Sequence, residues 1–487
     1  MGRRNFEKIP DQKSRKNDVT VTMRKGDLID INVDKMAFGG QGVGRVEGFV
    51  VFVSGAVAGD RVRARIIRKK RDYAEARIQD VLSPSLDRVE APCPYFGFCG
   101  GCQWQHMRYD MQLIHKHAHV AEALAHVGGL HGVRVHPVLP SERAFGYRNK
   151  MEFSFSNRRW YLPSELDRKP AEPANDFALG LHVPGTYNKV IDIEACLLQQ
   201  EAGNHMLRAV KALAEASRIP AYGLKSHQGF WRYLALRYSQ AYKEWMINVV
   251  TSCADDPLLS ALADQLSGQF SSIRTIVHNI NRRKGATAVG EEEKVLWGDG
   301  IIRDKIGPFV FQISANSFFQ TNALAAETLY RTVARFAALT GKESVLDLYS
   351  GTGTIPLFLA PDARQVIGIE ISENAVRDAR KNCKENGVDH CRFICGDMRH
   401  ALSSETQRPD VMIIDPPRAG MHKDVLKQVL TMAPEKVVYV SCNPATLARD
   451  LGQMATLYDL IEIQPVDMFP HTYHIESVAN LRLRKRV

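Results

Sequence analysis

The sequence lacks long apolar runs, and its cysteines are sparse over most of its length. Its 487 residues include no stretch of about 18 consecutive apolar residues, the length that a membrane-spanning helix needs, and no apolar segment near Met1 of the kind that begins a secretory signal peptide. Nine cysteines are too few for a secreted fold that depends on disulfides. We therefore expect a soluble, cytoplasmic, monomeric protein with no membrane partner and no obligate protein partner.

Internal repeats are also absent, and acidic residues are outnumbered by basic ones. The length predicts about three domains of roughly 150 residues each. Lysine and arginine total 64 against 54 aspartates and glutamates, which gives a net charge of +10. Eight of these cations precede residue 26, together with three acids and little apolar periodicity. Residues 1–18 are therefore predicted to form a disordered basic tail.

Residues 19–82 have the pattern of a small all-β domain. Strand-like runs alternate there with glycine clusters, and these runs are Leu28–Val33, Gly48–Val53, Arg61–Ile67 and Ala74–Val81. In the third run, cations alternate with small apolar residues, which predicts one cationic face and one buried face. Such a face on an OB-like barrel favours RNA binding, and the alternative is an ordinary solvated surface. The segment resembles a TRAM domain, an RNA-binding barrel of this kind.

The rest of the chain divides into two patterns. Residues 83–303 are mixed α/β, with a helix predicted at Tyr109–Ala125, strands at Lys150–Phe155 and Lys189–Ile193, and a proline-containing surface loop at 162–176. Residues 304–487 alternate helices with short apolar strands, which predicts a Rossmann-like, mostly parallel and doubly wound sheet. Its predicted strands are Ser344–Leu348, Val366–Glu370, Arg392–Ile394, Val411–Asp415 and Val437–Val440.

Four polar residues lie near the carboxyl ends of those strands, where such folds bind their ligands. They are Asp347, Glu370, Asp415 and Cys442. The glycine loop Gly351-Thr-Gly353 follows the first strand, and Glu370 lies 19 residues beyond Gly351, where a carboxylate accepts both ribose hydroxyls of a cofactor. Asp397 follows the third strand and suits an adenine edge. The arrangement resembles the S-adenosylmethionine pocket of Rossmann-like methyltransferases; a NAD site and an ordinary packing glycine are the alternatives.

Two residues have the types that methylation of a pyrimidine carbon requires. Asp415-Pro-Pro-Arg418 resembles the tetrapeptide with which amino-methyltransferases hold a target nitrogen, but its arginine replaces their aromatic residue and indicates another acceptor atom. The C5 carbon of uracil attacks a methyl group only after a thiolate has added to C6, and a base must then remove the C5 proton. Cys442 is the candidate nucleophile and Glu476 the candidate base. Taken alone, each could instead be a buried packing cysteine or a solvated glutamate.

Five segments together resemble the RNA uracil-C5 methyltransferases. They are Phe318–Asn322, the loop after Asp347, Asp415–Gly420, Ser441–Pro444 and Phe469–Glu476. The resemblance implies Cys442 as the nucleophile and Glu476 as the base. It also implies a pocket for S-adenosylmethionine and the base, lined by Gln320, Tyr349, Thr354, Glu370, Asp397 and Asp415.

A second group of residues has the pattern of metal ligands. Cys93, Cys99 and Cys102 are separated by five and two residues on a glycine-rich loop, and Cys196 could be a fourth ligand. Four thiolates suit either tetrahedral zinc or an iron–sulfur cluster, and the spacing does not decide between them. RlmD-like members of the resembled family have the same spacing and carry a 4Fe-4S cluster, so the resemblance implies that cluster here. The alternative is four unligated core cysteines.

The resemblance also implies the RNA substrate. Members that have both the barrel and the cysteine group point to 23S rRNA rather than tRNA, with the uridine at position 1939 as the commonest target and that at position 747 as a competitor. Two other classes remain as alternatives. One is a non-catalytic, cluster-bearing RNA-binding or redox protein. The other is a radical methylthiotransferase, which needs cysteines separated by three and then two residues, and the sequence has no such triplet.

Overall fold

The computed structural model describes residues 23–166, 176–404 and 408–485. The predicted basic tail and most of the predicted 162–176 loop lie outside these ranges. The chain forms two compact units, Met1–Arg88 and Val89–Val487. Within the described ranges, no helix is both long and apolar enough to cross a membrane.

The described part of the first unit contains strands and no helix. Its strands are β1 (Leu28–Asn32), β2 (Lys35–Met36), β3 (Gly42–Val46), β4 (Phe49–Ser54), β5 (Arg61–Lys69) and β6 (Tyr73–Ser83). They form one sheet in the order β1-β5-β6-β4-β3-β2. Strands β1 and β3 are not neighbours in this order, yet a Cβ atom on Gly44 of β3 would collide with the carbonyl oxygen of Asn32 in β1. The sheet is therefore curled, so that these two strands come close together. A closed OB-like barrel stays a prediction.

Strand β5 has the two faces that the sequence predicts. Val62, Ala64 and Ile66 are buried, whereas the arginines between them are exposed. The exposed face is less cationic than its sequence indicates, because Arg63 donates two hydrogen bonds to Asp30 at 2.8 and 2.9 Å. Part of the positive charge is therefore paired within the unit.

The first half of the second unit contains a large mixed sheet. Its elements are α1 (Tyr109–His126), β7 (Arg134–Val135), β8 (Lys150–Ser156), β9 (Arg159–Trp160), α2 (Pro163–Leu166), β10 (Ala178–His182), β11 (Val190–Asp192), α3 (Glu201–Ala216), β12 (Trp231–Tyr238), β13 (Trp245–Thr251), α4 (Asp256–Gln269), β14 (Ile273–Ile280) and β15 (Glu292–Trp297). Eight of the strands pair in the order β15-β14-β13-β12-β8-β10-β11-β9. Helices α3 and α4 bury their apolar sides against this sheet.

The second half of this unit has the predicted alternation of strands and helices. Its elements are β16 (Ile301–Ile306), β17 (Phe309–Ser314), α5 (Ala323–Ala337), β18 (Ser344–Leu348), α6 (Thr354–Leu359), a 3-10 turn (Ala360–Asp362), β19 (Gln365–Glu370), α7 (Glu373–Glu385), β20 (Cys391–Cys395), α8 (Met398–Ser404), β21 (Val411–Ile414), α9 (Lys423–Met432), β22 (Lys436–Ser441), α10 (Pro444–Met454), β23 (Tyr458–Val466) and β24 (Glu476–Leu483).

These strands form a second eight-stranded sheet, in the order β20-β19-β18-β21-β22-β24-β23-β7. Strands β18 to β22 run parallel, and β24 is antiparallel to both of its neighbours. The mostly parallel, Rossmann-like sheet is therefore confirmed. The antiparallel strands at one end place β24 beside β22, which decides the geometry of the site below.

One part of this sheet comes from far upstream in the chain. Strand β7 pairs with β23 at the edge of the sheet, and α1 packs against α10. Val120 and Leu124 of α1 share a core with Leu447 and Leu451 of α10. The predicted domain boundary at residue 303 stays a prediction, but residues 109–135 contribute to the C-terminal sheet.

Candidate active site

The turn after β22 holds the candidate nucleophile. Cys442 is the first residue beyond the strand, and α10 begins two residues later with Pro444. The Asn443 side chain accepts a hydrogen bond from the backbone N–H of Ala445 at 3.1 Å, which caps the helix. The same side chain donates to the carbonyl oxygen of Arg418 at 3.2 Å. The turns after β21 and β22 are therefore tied together, independently of β24.

Strand register brings the candidate base to this thiol. In the antiparallel pair β22–β24, Ser441 lies opposite Ser477. The next position along β22 is Cys442 and the preceding position along β24 is Glu476, so the register places these residues opposite each other. Opposite residues of an antiparallel pair project from the same face of the sheet. The two groups are 34 positions apart in sequence and adjacent in the fold.

A cavity of about 990 Å³ opens at this carboxyl edge of the sheet, and we call it the main cavity. Six of the predicted site residues line it: Gln320, Tyr349, Glu370, Asp415, Cys442 and Glu476. Residues from six different elements or turns thus meet at one place. The volume suits a cofactor together with a nucleobase.

Two predicted site residues do not line the main cavity. The Thr354 hydroxyl hydrogen-bonds the hydroxyl of Tyr330, at 3.0 Å, behind the glycine loop. Asp397 pairs with Arg399 at 2.6 Å and accepts a hydrogen bond from the backbone N–H of the same residue. The arginine two positions downstream therefore occupies the carboxylate that the sequence assigned to an adenine edge.

The glycine loop after β18 has a left-handed backbone at three positions. Tyr349, Gly351 and Gly353 all have positive φ angles, of 67°, 54° and 77°. A Cβ on Gly353 would lie 2.9 Å from Ala379 and Phe393, so this position requires glycine. The Glu370 carboxylate accepts a hydrogen bond from the Gly351 N–H at 3.1 Å, which fixes the loop at the cavity wall.

Glu370, Asp415 and Glu476 line the main cavity, and the buried Asp347, which does not line it, lies close enough to Glu370 and Asp415 to be affected by their charges. Asp347 is only 1% exposed, and neither of its carboxylate oxygens has a hydrogen-bond partner within the described ranges. Burial, reinforced by the charges of Asp415 and Glu370, raises the pKa of Asp347 well above its usual value. Burial raises the pKa of Asp415 to about 7, and burial together with the Asp415 charge raises the pKa of Glu476 well above its usual value. These carboxyl groups bind protons more tightly than exposed acids do.

The thiol is affected by the same surroundings. Burial raises the pKa of Cys442 to about 11; the Glu476 charge adds to this effect and the Arg418 guanidinium opposes it. Cys442 is therefore a thiol at neutral pH in the ligand-free protein. Arg418 is the cation in these surroundings that favours loss of the thiol proton.

The main cavity also has lining residues that the sequence did not indicate, among them His474 and Arg148. His474 lines it, and burial, followed by the charges of Arg418 and other cations, lowers the pKa of this imidazole to about 4. Arg148 also lines it, and its Nε atom is buried without a hydrogen-bond partner among the described residues. The spacing of His474 before Glu476 could have indicated its position. No local signal marks Arg148, because it lies more than 290 positions from Cys442.

The four candidate ligand cysteines line a second cavity, of about 540 Å³, which we call the cysteine cavity. Cys93, Cys99 and Cys102 lie on one loop, which the Gly100 N–H anchors to the carbonyl oxygen of His182. Cys196 lies near that loop because the Glu194 N–H donates to the hydroxyl of Tyr95, at 2.9 Å. Across the described ranges, no group of three or more cysteine, histidine or acidic side chains converges on a single metal-ion position.

Two matches to known families cover most of the chain. Residues 254–484 match the family described as tRNA (Uracil-5-)-methyltransferase, and residues 23–78 match the TRAM domain. The TRAM match covers the curled sheet of the first unit. The methyltransferase match covers every strand of the Rossmann-like sheet except β7, together with β14 and β15 of the preceding sheet.

Full-length relatives agree with these matches. A protein of Chlorobaculum tepidum named as an uncharacterized RNA methyltransferase is 44% identical over 468 residues, which cover 94% of this chain and 97% of that protein. A protein of Porphyromonas gingivalis with the same description is 39% identical, with 93% and 99% covered. The crystal structure of the Pyrococcus abyssi tRNA (uracil-54, C5)-methyltransferase in complex with S-adenosyl-L-homocysteine matches with a TM-score of 0.72 and 29% identity, over 93% of this chain and 100% of that chain.

Proposed function

This chain belongs to the family of S-adenosylmethionine-dependent RNA (uracil-5-)-methyltransferases, and on that premise we propose that it methylates C5 of a uridine in 23S rRNA. One observation supports the chemistry: Ser441 lies opposite Ser477, so the β22–β24 register continued by one residue brings Cys442 opposite Glu476, and both line the main cavity. A nucleophile and a base on one face of the sheet are what addition to C6 and proton removal from C5 require.

The first proposed step is addition of Cys442 to the uracil ring. The thiol gives its proton to solvent water as the uracil enters, so that Glu476 stays available as a carboxylate, and Arg418 stabilises the resulting thiolate. The sulfur forms a bond to C6, and the electrons of the C5–C6 double bond move toward C5 and the adjacent carbonyl oxygen. The C5 carbon then has the electron density that it lacks in free uracil.

The second proposed step is methyl transfer, followed by elimination. C5 takes the methyl group from the sulfonium of S-adenosylmethionine, and S-adenosylhomocysteine leaves. Glu476 then removes the C5 proton, the C5–H electrons restore the double bond, and the C6–S bond breaks to release Cys442. The raised pKa of Glu476 favours this role, because a carboxylate with high proton affinity is a stronger base.

The remaining predicted residues would bind the methyl donor and the base. Glu370 retains acceptor capacity for ribose hydroxyls beyond its bond to Gly351, and Tyr349 and Gln320 line the same cavity. Asp415 lines the same cavity, lies close enough to Cys442 to raise the pKa of its thiol, and suits the uracil edge. Thr354 would act through the loop that it supports. Asp397 would have to break its ion pair with Arg399 before it could bind the adenine. Its role is proposed on the family resemblance alone.

We propose that Cys93, Cys99, Cys102 and Cys196 hold a 4Fe-4S cluster. The proposal is supported by the position of the four thiols, which all line the cysteine cavity. A single zinc ion would need its sulfurs roughly 3.8 Å apart, as zinc–sulfur bonds of about 2.3 Å in a tetrahedron require, whereas each cysteine of a cubane cluster binds a different iron. Such a cluster would cross-link the loop to Cys196. Zinc without sulfide in anaerobically purified protein would refute this proposal.

The choice of RNA can be tested directly. The protein would be incubated with methyl-labelled S-adenosylmethionine and either unmodified 23S rRNA or unmodified tRNA, with Cys442→Ala as the control. We expect 5-methyluridine in 23S rRNA and none with the variant. Label in tRNA alone would make tRNA the substrate, the activity that names the Pyrococcus abyssi enzyme. Label on a ribose oxygen or an exocyclic amine would contradict the chemistry itself.

A further inference from the structure

The segment between β23 and Glu476 is held by an unusual number of buried polar contacts. We call residues 467–475 the support segment, because Glu476 follows it directly. Helix α1 and the residues just after Cys102 make several of these contacts. The side chains of Tyr147 and Asn322 add hydrogen bonds to the carbonyl oxygens of Pro470 and Met468, and the Asp467 N–H donates to the carbonyl oxygen of Leu139. None of these contacts involves the turn that carries Cys442.

The first contact is a buried ion pair. The Lys116 ammonium of α1 lies 2.6 Å from the Asp467 carboxylate, and both side chains are completely inaccessible to solvent. The hydroxyl of Tyr109 donates to the other Asp467 oxygen at 2.9 Å, and Lys116 also donates to the carbonyl oxygen of Phe469 at 3.0 Å. A buried pair with this many partners fixes the start of the support segment rigidly.

The second contact is made by one side-chain amide of α1. The Gln112 oxygen accepts a hydrogen bond from the backbone N–H of His471 at 2.8 Å. Its nitrogen donates to the carbonyl oxygens of Trp104 and Met107 at 3.0 and 2.9 Å, and lies 3.2 Å from the His471 ring. Gln112 therefore connects the support segment to the stretch after the cysteine loop. Its own side chain is fully buried.

The third contact comes from the cysteine loop itself. The backbone N–H groups of Gln103 and Trp104 both donate to the carbonyl oxygen of His471, each at 2.9 Å. Gln103 follows Cys102 directly in the chain. His471 has a positive φ of 64°, a conformation that a non-glycine residue keeps only where its surroundings impose it. The ring of Phe145 stacks on His471, with 4.2 Å between the ring centroids.

We propose that the support segment positions Glu476 for removal of the C5 proton, and that Gln112 and Lys116 are positioning residues for this step. The inference rests on the proposed function of Glu476. The Cys442 turn is tied instead to the turn after β21, through Asn443. Loss of the α1 contacts therefore slows proton removal and leaves thiol addition in place. A displacement of about 1 Å is enough to cost on the order of a hundredfold in rate.

The test separates the two steps with two RNA substrates. With 5-fluorouridine RNA there is no C5 proton to remove, so the amount of covalent adduct reports addition and methyl transfer alone. With ordinary uridine RNA, an adduct that survives a denaturing gel accumulates only when proton removal is slow. For Gln112→Met we expect adduct formation on 5-fluorouridine RNA within about threefold of the unsubstituted protein, turnover on uridine RNA reduced at least tenfold, and a visible uridine adduct.

Two tyrosine variants make a matched pair for this test. Tyr109→Phe removes the hydroxyl that donates to Asp467, whereas Tyr458→Phe removes one that donates to the carbonyl oxygen of Pro434 at 3.0 Å, away from the support segment. We expect Tyr109→Phe to accumulate the covalent adduct on uridine RNA and Tyr458→Phe to accumulate none. If Gln112→Met does not fold, judged by binding of S-adenosylhomocysteine, the tyrosine pair decides.

The outcomes also separate this inference from the function on which it rests. If Gln112→Met and Tyr109→Phe reduce adduct formation on 5-fluorouridine RNA as much as turnover on uridine RNA, the contacts serve only to stabilise the fold. That result would overturn the inference. If both variants, like Tyr458→Phe, accumulate no uridine adduct, the inference is overturned as well, while the proposed function stays intact. If the unsubstituted protein forms no adduct on 5-fluorouridine RNA, the proposed function fails and the inference fails with it.

Discussion

The reactivity of Cys442 toward a small disulfide reagent tests the electrostatics of the main cavity most quantitatively. With a pKa of about 11, the thiolate makes up about 0.1% of the thiol at pH 8, against about a quarter for an ordinary cysteine of pKa near 8.5. This population ratio is about 240. The more basic thiolate is intrinsically about tenfold more nucleophilic, so we expect reaction at Cys442 to be roughly 20-fold slower than at a free cysteine.

The direction of the pKa shift can be tested with the pH dependence of the reaction rate at Cys442 and with two variants. Because the pKa is raised, the rate at Cys442, followed by mass spectrometry of its peptide, should rise about tenfold per pH unit from pH 7 to pH 10. Arg418→Gln removes the cation that lowers the pKa and should slow the reaction, whereas Asp415→Asn removes an anion that raises it and should speed the reaction. A rate that levels off below pH 9, or variants that shift it in the reverse directions, would refute this account of the cavity.

Three further outcomes are expected. Lys116→Met leaves the Asp467 carboxylate buried without its cation. We expect it to lower the free energy of unfolding, measured by chemical denaturation, by about 3–5 kcal/mol. A smaller loss in the double variant Lys116→Met/Asp467→Asn would confirm that the unpaired charge is the cause. Glu476→Gln should lower turnover by about 10²–10⁴-fold and accumulate adduct on uridine RNA, and unchanged turnover would contradict its role as base. Cys102→Ser should reduce the iron and sulfide of anaerobically purified protein from about four of each per chain to a small fraction, whereas Cys253→Ser, at an exposed position, should not.

The sequence predicted the parts of the site that lie at the ends of parallel strands. Strand Ser344–Leu348 has the predicted bounds, and Asp415 and Cys442 follow strands as expected. In a parallel sheet the carboxyl ends meet at one edge, so the strand pattern alone brings these residues together. This is why the main cavity could be expected before its geometry was known.

Long-range register and local ion pairs could not be read from the same pattern. The hydrophobic periodicity of the sequence does not predict that Glu476 lies opposite Cys442, because the antiparallel register depends on packing between β22 and β24. The contact of Lys116 with Asp467 joins residues 351 positions apart. Local contacts are equally hidden from the sequence pattern, since Arg399 pairs with the Asp397 carboxylate, whose assignment to the cofactor stays a prediction.

The proposed function requires Cys442 to add to C6 of a uracil ring so that C5 can accept a methyl group. The most direct measurement is the peptide map of the complex formed with S-adenosylmethionine and 5-fluorouridine RNA, after protease and nuclease digestion. We predict a methylated fluorouridine joined to the peptide that contains Cys442. A crosslink at any other residue, or an adduct of equal yield in Cys442→Ala, would contradict the account.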